Sequence, residues 1–430
     1  MGLQDPIGVR TALERRREKS TIRQLSTNPA SSVDFSSNDF LSLATSPELR
    51  RRFLRGLANC SKERLETGPL TTHLGSGGSR LLDGNSSYAE ALETEIAAFH
   101  NAPCGLLCNS GFDANVSIFS CLPQPGDIIA FDELIHASVH DGMRLSRAGK
   151  RISFPHNDLN RLEEILRQCL ADDADLQAGR KNVFIAVEAV YSMDGDVAPL
   201  AEIVAMLSAL LPLGVGHLIV DEAHSTGIFG SQGRGLVCEL GLEDKVTVRL
   251  HTFGKAMACG GAILLCSPTL RHYFLNFARP LIYTTFMPYP SLAAIHASYS
   301  LLQDGHAEPL VAHLQMLIAY LQDSLIQLVA SLRLPPEMRH LLRVPRTRST
   351  SAISYVMSSQ PKTLAAYCRS KGYVVRAIVP PTVPAGTERL RICLHAGNTV
   401  EQIDGFLRAI HSWIDEQRRE AEPEYVKARM

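Results

Sequence analysis

Two segments, HLIVDEAHSTG (217–227) and RLHTFGKAMACGGAILL (249–265), decide the fold of this chain. Each begins with an apolar run of strand length and continues into polar residues followed by glycine. The stretch from about residue 86 to 266 repeats this texture, because short apolar runs alternate with helical patterns throughout it. Strands that alternate with helices predict an α/β fold with an open, mostly parallel central sheet covered by helices on both faces.

The positions of the expected strands follow from the apolar runs. A helix is predicted to start with a capping box at Ser87, ahead of the first run. Ligands of open α/β sheets bind beyond the carboxyl ends of the strands, and Asp221, His224 and Lys255 lie at or just after such ends. The runs are 104–108, 128–131, 183–188, 217–221, 247–251 and 261–266, with helical stretches at 158–170 and 199–210 between them.

The three polar residues at these strand ends are the types that hold pyridoxal phosphate. The amine of Lys255 can condense with an aldehyde as a Schiff base, and the carboxylate of Asp221 can keep a pyridine nitrogen protonated. His224, on the same loop, can hydrogen-bond the phenolic oxygen of the ring. The letters DEAH also occur in helicases, but those proteins need a G-x-x-x-x-G-K-[ST] loop, which this sequence lacks.

Two further strand ends offer weaker candidates. Asn109-Ser110-Gly111-Phe112 follows GLLC and opens a helix, where backbone amides suit a phosphate group, although any strand-to-helix turn has this form. Glu188 and Ser192 lie in VEAVYSMDGD. Ser192 can hydrogen-bond the cofactor or the substrate, or it can simply close a structural turn.

His136 and the arginines of ERLRIC each have two interpretations. His136 can stack on a pyridine ring, or it can bind a metal together with His140 at i and i+4 of a helix; no acidic ligand pattern accompanies the pair, so we expect no metal. Arg389 and Arg391 share one face of a predicted strand. Either arginine can hold a substrate carboxylate with a bidentate fork, or both can belong to a surface strand.

Length and composition bound the organisation of the chain. With 430 residues we expect an N-terminal helix and arm (1–50, with an amphipathic helix at 12–25), a large cofactor-binding domain (51–307) and a small α+β domain (308–430). In the small domain, helical patterns at 308–332 and 400–420 bracket weaker strands around 352–357, 373–379 and 389–394.

Charge, hydropathy and cysteine usage exclude several classes of protein. A formal net charge of −1 gives no indication of nucleic-acid binding, and proline and glycines interrupt the longest uncharged stretch (204–220), so we expect no membrane span. Ten cysteines without a C-x-x-C pair favour reduced thiols in an intracellular protein. The final residues, Ala428-Arg429-Met430, resemble a peroxisomal address, which leaves the peroxisome and the cytoplasm open.

Taken in order, these segments resemble the α-oxoamine synthases, the fold-type-I pyridoxal-phosphate enzymes that join an amino acid to an acyl-CoA. The resemblance runs from about residue 12 to 411. It rests on DFSSNDFLSL, GSGGSRLLDGN, NSGFDAN, LIHASVHDG, HND, EAVYSMDGDVAPL, VDEAHSTGIFGSQGRG, TFGKAMACGGA and PPTVPAGTERLRI.

The resemblance implies a role for each matched residue. Lys255 would hold the cofactor and act as acid and base, Asp221 would pair with the ring nitrogen, and His224 with the phenolic oxygen. His136 would stack on the ring, and Arg391 would bind the amino acid carboxylate in preference to Arg389. Other matched positions would line the cofactor (Gly111, Phe112, Ser192, Thr252) or the substrates (Arg23, Asn38, Glu188, Thr382). Members are homodimers, so the segment Tyr283-Thr284-Thr285 is expected to reach the cofactor of a partner subunit.

Within the family, IVPPTVPAGTERLRI is most similar to members that condense L-alanine with a pimeloyl thioester and release carbon dioxide in biotin synthesis. A longer stretch at 50–73 and Phe286 depart from the usual pattern and leave the acyl and CoA contacts open. Three alternatives remain: another amino acid or acyl chain, a decarboxylase, aldolase or aminotransferase on the same scaffold, and a non-catalytic partner subunit. Such subunits commonly lack the lysine that this chain has.

Overall fold

A computed structural model describes residues 8–18, 22–23, 25–59, 74–345 and 350–421. The strands are β1 Val33–Asp34, β2 Cys104–Cys108, β3 Ile128–Asp132, β4 Lys150–Phe154, β5 Val183–Glu188, β6 Gly216–Asp221, β7 Val248–Thr252, β8 Ala262–Cys266, β9 Ile353–Met357, β10 Tyr373–Val374, β11 Arg376–Ile378 and β12 Arg389–Cys393. The helices are α1 Val9–Glu18, α2 Pro47–Asn59, α3 Ser87–Phe99, α4 Gly111–Cys121, α5 Ala137–Arg144, α6 Leu159–Asp172, α7 Ala174–Gln177, α8 Leu200–Leu210, α9 Leu236–Glu239, α10 Pro268–Phe277, α11 Arg279–Ile282, α12 Tyr289–Gln303, α13 Glu308–Leu332, α14 Pro361–Ser370 and α15 Val400–Ala421.

The large sheet has seven strands in the order β2-β8-β7-β6-β5-β3-β4. The pairs from β4 to β7 are all parallel, and β8 runs antiparallel to both of its neighbours. The α/β fold and the six predicted strands of this sheet are therefore confirmed, to within one residue at each end. The sequence did not predict β4, because KRISF is an edge strand with mostly exposed or half-buried side chains and so shows no apolar run.

Helices cover both faces of this sheet, which explains its apolar strands. All six residues of β5 are buried. Along β3, Ile128 and Ala130 belong to the apolar cluster on one face, and Ile129 belongs to the cluster on the other. A strand that is covered on both sides needs continuous apolar residues, whereas a half-exposed strand would alternate. The polar residues are thereby displaced to the strand ends.

The small lobe contains an antiparallel sheet in the order β11-β12-β9. The N-terminal arm joins it, because β1 pairs in parallel with β10. The amide of Phe35 donates to the Val374 carbonyl at 2.8 Å, and the amide of Cys393 donates to the Phe35 carbonyl at 2.9 Å. Residues far apart in sequence, from the arm and from β12, are thus fixed beside each other. The domain limits predicted above stay a prediction.

Three local predictions are corrected by the structure. The side chain that caps α3 is Ser86, whose hydroxyl accepts from the Ala89 amide, so the capping box does not begin at Ser87. The predicted helix at 12–25 is α1, which ends at Glu18 and has no buried residue. The predicted strand at 373–379 is two short strands, β10 and β11, because the chain changes pairing partner between them.

Other predictions fall partly or wholly outside the described residues. These are the tripeptide Ala428-Arg429-Met430 and most of the long stretch at 50–73. Across the described ranges, no helix combines the length and the apolar character needed to cross a membrane.

Candidate active site

The site lies at the carboxyl edge of the large sheet. Asp221 is the last residue of β6 and pairs in register with Glu188, the last residue of β5. Thr252 ends the adjacent strand β7. Helix α4 begins at Gly111 directly against that end, and a Cβ atom on Gly111 would lie 3.1 Å from Thr252 Oγ1. Glycine therefore allows the start of the helix and the strand end to approach closely.

Lys255 and His224 form the centre of the site. The Lys255 Nζ atom lies 2.9 Å from His224 Nε2, and His224 is buried. Burial lowers the pKa of the Lys255 amine, which favours the neutral, nucleophilic form. Burial, and secondly the charge of Lys255, lowers the pKa of His224 well below its usual value, so its imidazole is neutral.

Asp221 is held by hydrogen bonds from two elements. The Asn115 side-chain amide donates to Asp221 Oδ2 at 2.8 Å, and the Ala223 backbone amide donates to Asp221 Oδ1 at 2.9 Å. Asn115 also donates to Ser138 Oγ at 2.9 Å. The hydroxyl of Ser138 lies 2.7 Å from His136 Nδ1. A continuous chain of hydrogen bonds therefore joins Asp221 to His136.

Glu188 is the second carboxyl group at this edge. Burial, and secondly the charge of Asp221, raises the pKa of Glu188 to about 8. Its Oε1 atom is buried and has no hydrogen-bond partner in the described part of the chain. At neutral pH this side chain is therefore mostly a protonated acid, able to donate a hydrogen bond beside Asp221.

The two arginines of β12 have different surroundings. Arg389 forms a close ion pair with Asp194, and its guanidinium carbon lies 4.3 Å from the centre of the Tyr355 ring. Arg391 donates to the Ser192 carbonyl at 2.6 Å and to Asn38 Oδ1 at 3.0 Å. Among the described carboxylates, none lies within ion-pairing distance of Arg391. Of the two arginines of β12, Arg391 is therefore the one without an acidic partner among the described residues.

A cleft of about 680 Å³ opens beside these residues. Its walls include His136, Ser192 and Thr382, which come from the N-terminal cap of α5, the loop after β5 and the loop before β12. The segment Pro380–Ala385 forms the small-lobe side of the cleft. The cleft therefore lies between the large-lobe residues that resemble a cofactor site and the small-lobe loop PPTVPA.

The structure places the remaining predicted residues less centrally. Phe112 is 44% exposed, and its ring lies edge-on to His136 with 6.5 Å between ring centres. The Thr285 carbonyl accepts from Asn109 Nδ2 at 2.7 Å. Arg23 is exposed and does not line the cleft, so a single chain does not bring it to the other site residues.

The structure removes the geometric basis for a metal site at His136 and His140. His136 caps α5 from outside the helix, so the two histidines are not at i and i+4 of one helix. Within the described ranges, the group of three possible ligands is His156, Asp194 and Asp196. Burial lowers the pKa of His156, but hydrogen bonds to Asp132 and Asp196 outweigh burial and raise it to about 9. In this cluster His156 contacts the carboxylates of both Asp132 and Asp196.

The chain's own atoms fit pyridoxal phosphate. The half-buried Lys255 has no carboxylate within ion-pairing distance among the described residues, and the pKa of its amine is lowered, which favours the neutral form. His224 Nδ1 is buried without a hydrogen-bond partner in those same ranges. Both features leave polar groups unsatisfied that an aldehyde-bearing, hydroxylated ring would satisfy.

Comparison with known proteins decides the family. Residues 31–410 match the family model for aminotransferase class I and II. An 8-amino-7-oxononanoate synthase of Emericella nidulans is 54% identical over 96% of this chain and 96% of its own length. The chain belongs to the α-oxoamine synthases. Pyridoxal phosphate is accordingly its cofactor.

Other members extend the comparison. The aminoacyl transferase sphA of Aspergillus fumigatus is 38% identical over 89% of this chain and 81% of its own. A serine palmitoyltransferase structure of Sphingomonas wittichii is 25% identical, with a TM-score of 0.76, over 96% of this chain and 98% of that one. As an α-oxoamine synthase, the chain thus shares its architecture with enzymes whose names indicate different substrates.

Sequence reasoning missed two residues of this α-oxoamine synthase site. Asn115 and Ser138 are buried polar residues that connect Asp221 with His136. Asn115 lies four residues after Gly111 in the same predicted helix, so it occupies the same face one turn later. That spacing was a usable signal for Asn115. No comparable signal marks Ser138, because its role depends on how α5 packs on α4.

Proposed function

We propose that this protein condenses L-alanine with a pimeloyl thioester to give 8-amino-7-oxononanoate, carbon dioxide and the free thiol. The observation that carries the proposal is the 54% identity, over nearly the whole of both chains, to an enzyme of that name. The geometry supports it, because Arg391 lies close enough to Lys255 to lower the pKa of its amine, and Arg391 donates to the carbonyl of Ser192, which lines the cleft.

When bound, pyridoxal phosphate supplies an aldehyde for amines and a protonated ring that withdraws electrons from the amino acid α-carbon. The Asp221 carboxylate, oriented by Asn115 and Ala223, would hold the proton of the ring nitrogen. His224, whose Nε2 atom lies 2.9 Å from Lys255 Nζ, would hydrogen-bond the phenolic oxygen. Gly111, Thr252 and Ser192 lie where they would surround the cofactor.

Lys255 has the properties needed to move a proton at the substrate α-carbon. Because burial lowers its pKa, more of the amine is in the neutral form, which can accept a proton and return it later. Glu188, whose pKa is raised to about 8, presents an uncharged acid beside it and does not neutralise a substrate-binding cation. Both groups are therefore poised for proton transfer and hydrogen bonding at neutral pH.

Arg391 would bind the amino acid carboxylate. Its guanidinium is fixed by the Ser192 carbonyl and by Asn38 of the N-terminal arm. A guanidinium offers a planar fork that matches a carboxylate, and the low-dielectric surroundings strengthen the pair. Arg389 is already neutralised by Asp194, so it is the poorer candidate.

A second candidate function stays within the family. The 38% identity to the aminoacyl transferase sphA favours a synthase that uses another amino acid or acyl chain. Thiol release by the purified enzyme separates the two. With pimeloyl-CoA, release that needs L-alanine and fails with glycine and L-serine supports the first proposal. Release with a different amino acid or thioester supports the second, and release that needs no amino acid would contradict both.

We also propose a homodimer with shared active sites. Large exposed apolar side chains surround the site edge, with Leu82 78% and Tyr283 70% exposed. The segments that carry them are joined, since the Phe286 amide donates to the Gly78 carbonyl and the Tyr289 amide donates to the Leu74 carbonyl. Apolar patches of this kind usually mark a protein interface.

Mixing two inactive variants tests the shared site. Lys255→Ala removes the amine, and Thr285→Asp would repel the phosphate of a partner's cofactor. If Thr285 acts across the interface, mixed dimers contain one intact site and the mixture regains roughly a quarter of wild-type activity. A mixture that stays inactive, while light scattering shows mixed dimers, would place Thr285 in its own subunit's site.

The peroxisome is our proposal for the compartment of this protein. A fluorescent fusion ending in Ala428-Arg429-Met430 would test it.

A further inference from the structure

Asn115 occupies the space between helix α4 and the end of β6. Only 2% of its surface is exposed, and Ser138, its neighbour from α5, is fully buried. The two hydrogens of its amide go to different elements, one to Asp221 Oδ2 and one to Ser138 Oγ. A buried amide that serves two acceptors on separate elements fixes the distance between them.

We propose that Asn115 is a positioning residue that sets the carboxylate of Asp221 and the ring of His136 as one unit around the cofactor ring. The inference rests on the proposed function only for the roles of Asp221 and His136. Asn115 touches neither the cofactor nor the substrate in this scheme; it acts through its two hydrogen-bond partners.

The direction of the hydrogen bonds also fixes the protonation of His136. Because Ser138 Oγ accepts from Asn115, its own hydrogen is free to be donated to His136 Nδ1 at 2.7 Å. The Ser138 backbone amide donates to the same nitrogen at 3.2 Å. His136 Nδ1 is thus an acceptor, and the proton of the neutral ring lies on Nε2.

That arrangement connects the two faces of the site. The Nε2–H group of His136 becomes a hydrogen-bond donor, and His136 lines the cleft beside Ser192 and Thr382. The other end of the chain holds Asp221 Oδ2, while the Ala223 amide holds Oδ1. The Asn115 amide therefore supports both Asp221, the partner of the ring nitrogen, and His136, the donor on the ring face.

Substitution of Asn115 tests the proposal without any acyl substrate. Asn115→Leu keeps the size and removes both donors, and Asn115→Asp replaces a donor with a charge beside Asp221. We expect the dissociation constant for pyridoxal phosphate to rise about 10- to 100-fold in Asn115→Leu, the effect of one lost hydrogen bond to a charged group. The pH titration of the bound cofactor's absorbance should shift in both variants, because the ring nitrogen loses its oriented partner.

Ser138→Ala and Ser117→Ala complete the design. Ser138→Ala removes only the hydrogen bond to His136, so the affinity for the cofactor should fall less, by about threefold. We also expect a lower kcat and an unchanged KM for the acyl thioester. Ser117 is equally buried on α4, but its hydroxyl bonds the Asp113 carbonyl within the helix. Ser117→Ala should leave the absorbance titration and cofactor affinity unchanged.

A double variant and melting curves keep the proposal open to refutation. If the hydrogen bonds act as one unit, Asn115→Leu combined with Ser138→Ala costs less than the sum of the two. A wild-type titration and affinity in Asn115→Leu would overturn the proposal, as would equal losses in Ser117→Ala. If Asn115→Leu does not fold, a wild-type kcat and absorbance titration in Ser138→Ala would overturn it. Shifted spectra together with turnover of a thioester other than pimeloyl-CoA would refute the proposed substrate and leave this inference standing.

Discussion

The site has two halves that were assembled in different ways. The cofactor edge consists of Asp221, His224 and Lys255, which lie within 35 positions of one another on two adjacent strand ends. The substrate wall consists of Asn38, Thr382 and Arg391, which come from opposite ends of the chain. The first half is local and depends on strand ends, whereas the second exists only after the arm joins the small lobe. Chemistry and specificity are therefore built into separable parts of the fold.

The largest effect should follow a change at the cofactor edge. Lys255→Ala removes the amine while leaving a small apolar side chain in a half-buried position, so the fold should persist. We expect turnover to fall at least about 10⁴-fold, because no neighbouring residue can replace the amine as acid and base. Thiol release and a melting curve measure the two effects. Residual activity within tenfold of wild type would show that the edge does not carry the chemistry.

Asp221→Asn should be the next most severe change. The neutral amide cannot hold the proton of the ring nitrogen. It also has one oxygen fewer to accept the hydrogen bond from Asn115. We expect kcat to fall about 10²- to 10³-fold, the usual cost of losing a strong electrostatic group at a reacting centre. Single-turnover kinetics with saturating substrates would check it. Near-normal kcat would remove Asp221 from the role given to it here.

The two arginines of β12 allow a sharper test of the substrate wall. Arg391→Lys keeps a charge but loses the fork, so we expect kcat/KM for the amino acid to fall about 10- to 100-fold with a smaller change in KM for the thioester. Arg389→Lys, the matched control, should mainly affect stability, because Arg389 is paired with Asp194. Steady-state kinetics and thermal melting distinguish them. A larger loss of amino acid affinity in Arg389→Lys would reverse the assignment.

The smallest expected effect concerns a charged cluster near the cleft that should support stability alone. Hydrogen bonds to Asp132 and Asp196 raise the pKa of His156 from 6.5 to about 9 despite burial. Since the folded-state value is the higher one, this stabilisation is complete below about pH 6.5 and is lost as pH rises through about 9. The ion pairs of His156 contribute at most about 3 kcal/mol to the free energy of unfolding.

His156→Gln should therefore be less stable than wild type at pH 6, and the difference should shrink by pH 9.5. Urea unfolding of both proteins at the two pH values measures it, and groups that titrate equally in both cancel. A difference that does not change with pH would mean that His156 is not charged in the folded protein.

The sequence predicted the strand ends that carry the local half of the site. The glycine and polar residues after apolar runs marked the ends of β6 and β7, and with them Asp221 and Lys255. It failed at the start of α3, where Ser86 and Ser87 are both capping residues by type, and only the backbone shows which one lies outside the helix. It failed also at β4, because an exposed edge strand has no apolar pattern to detect.

The choice between Arg389 and Arg391 shows where sequence reasoning stopped. Both lie on one face of β12, so residue type and spacing are the same for each. Only the packing of Asp194 against one and of Asn38 against the other separates a neutralised cation from a free one. The resemblance to a family favoured Arg391, but the physical reason is visible only in the folded chain.

By itself, the sequence determined the α/β architecture, the order of its strands along the chain and which polar residues follow the strand ends. These features depend on short-range patterns, since apolar runs must be buried and polar residues must follow them. Tertiary structure decided which arginine of β12 has an acidic partner and how Asn115 and Ser138 connect Asp221 to His136. Those properties depend on distances of a few ångströms between elements far apart in sequence, and hydrophobic periodicity carries no information about them.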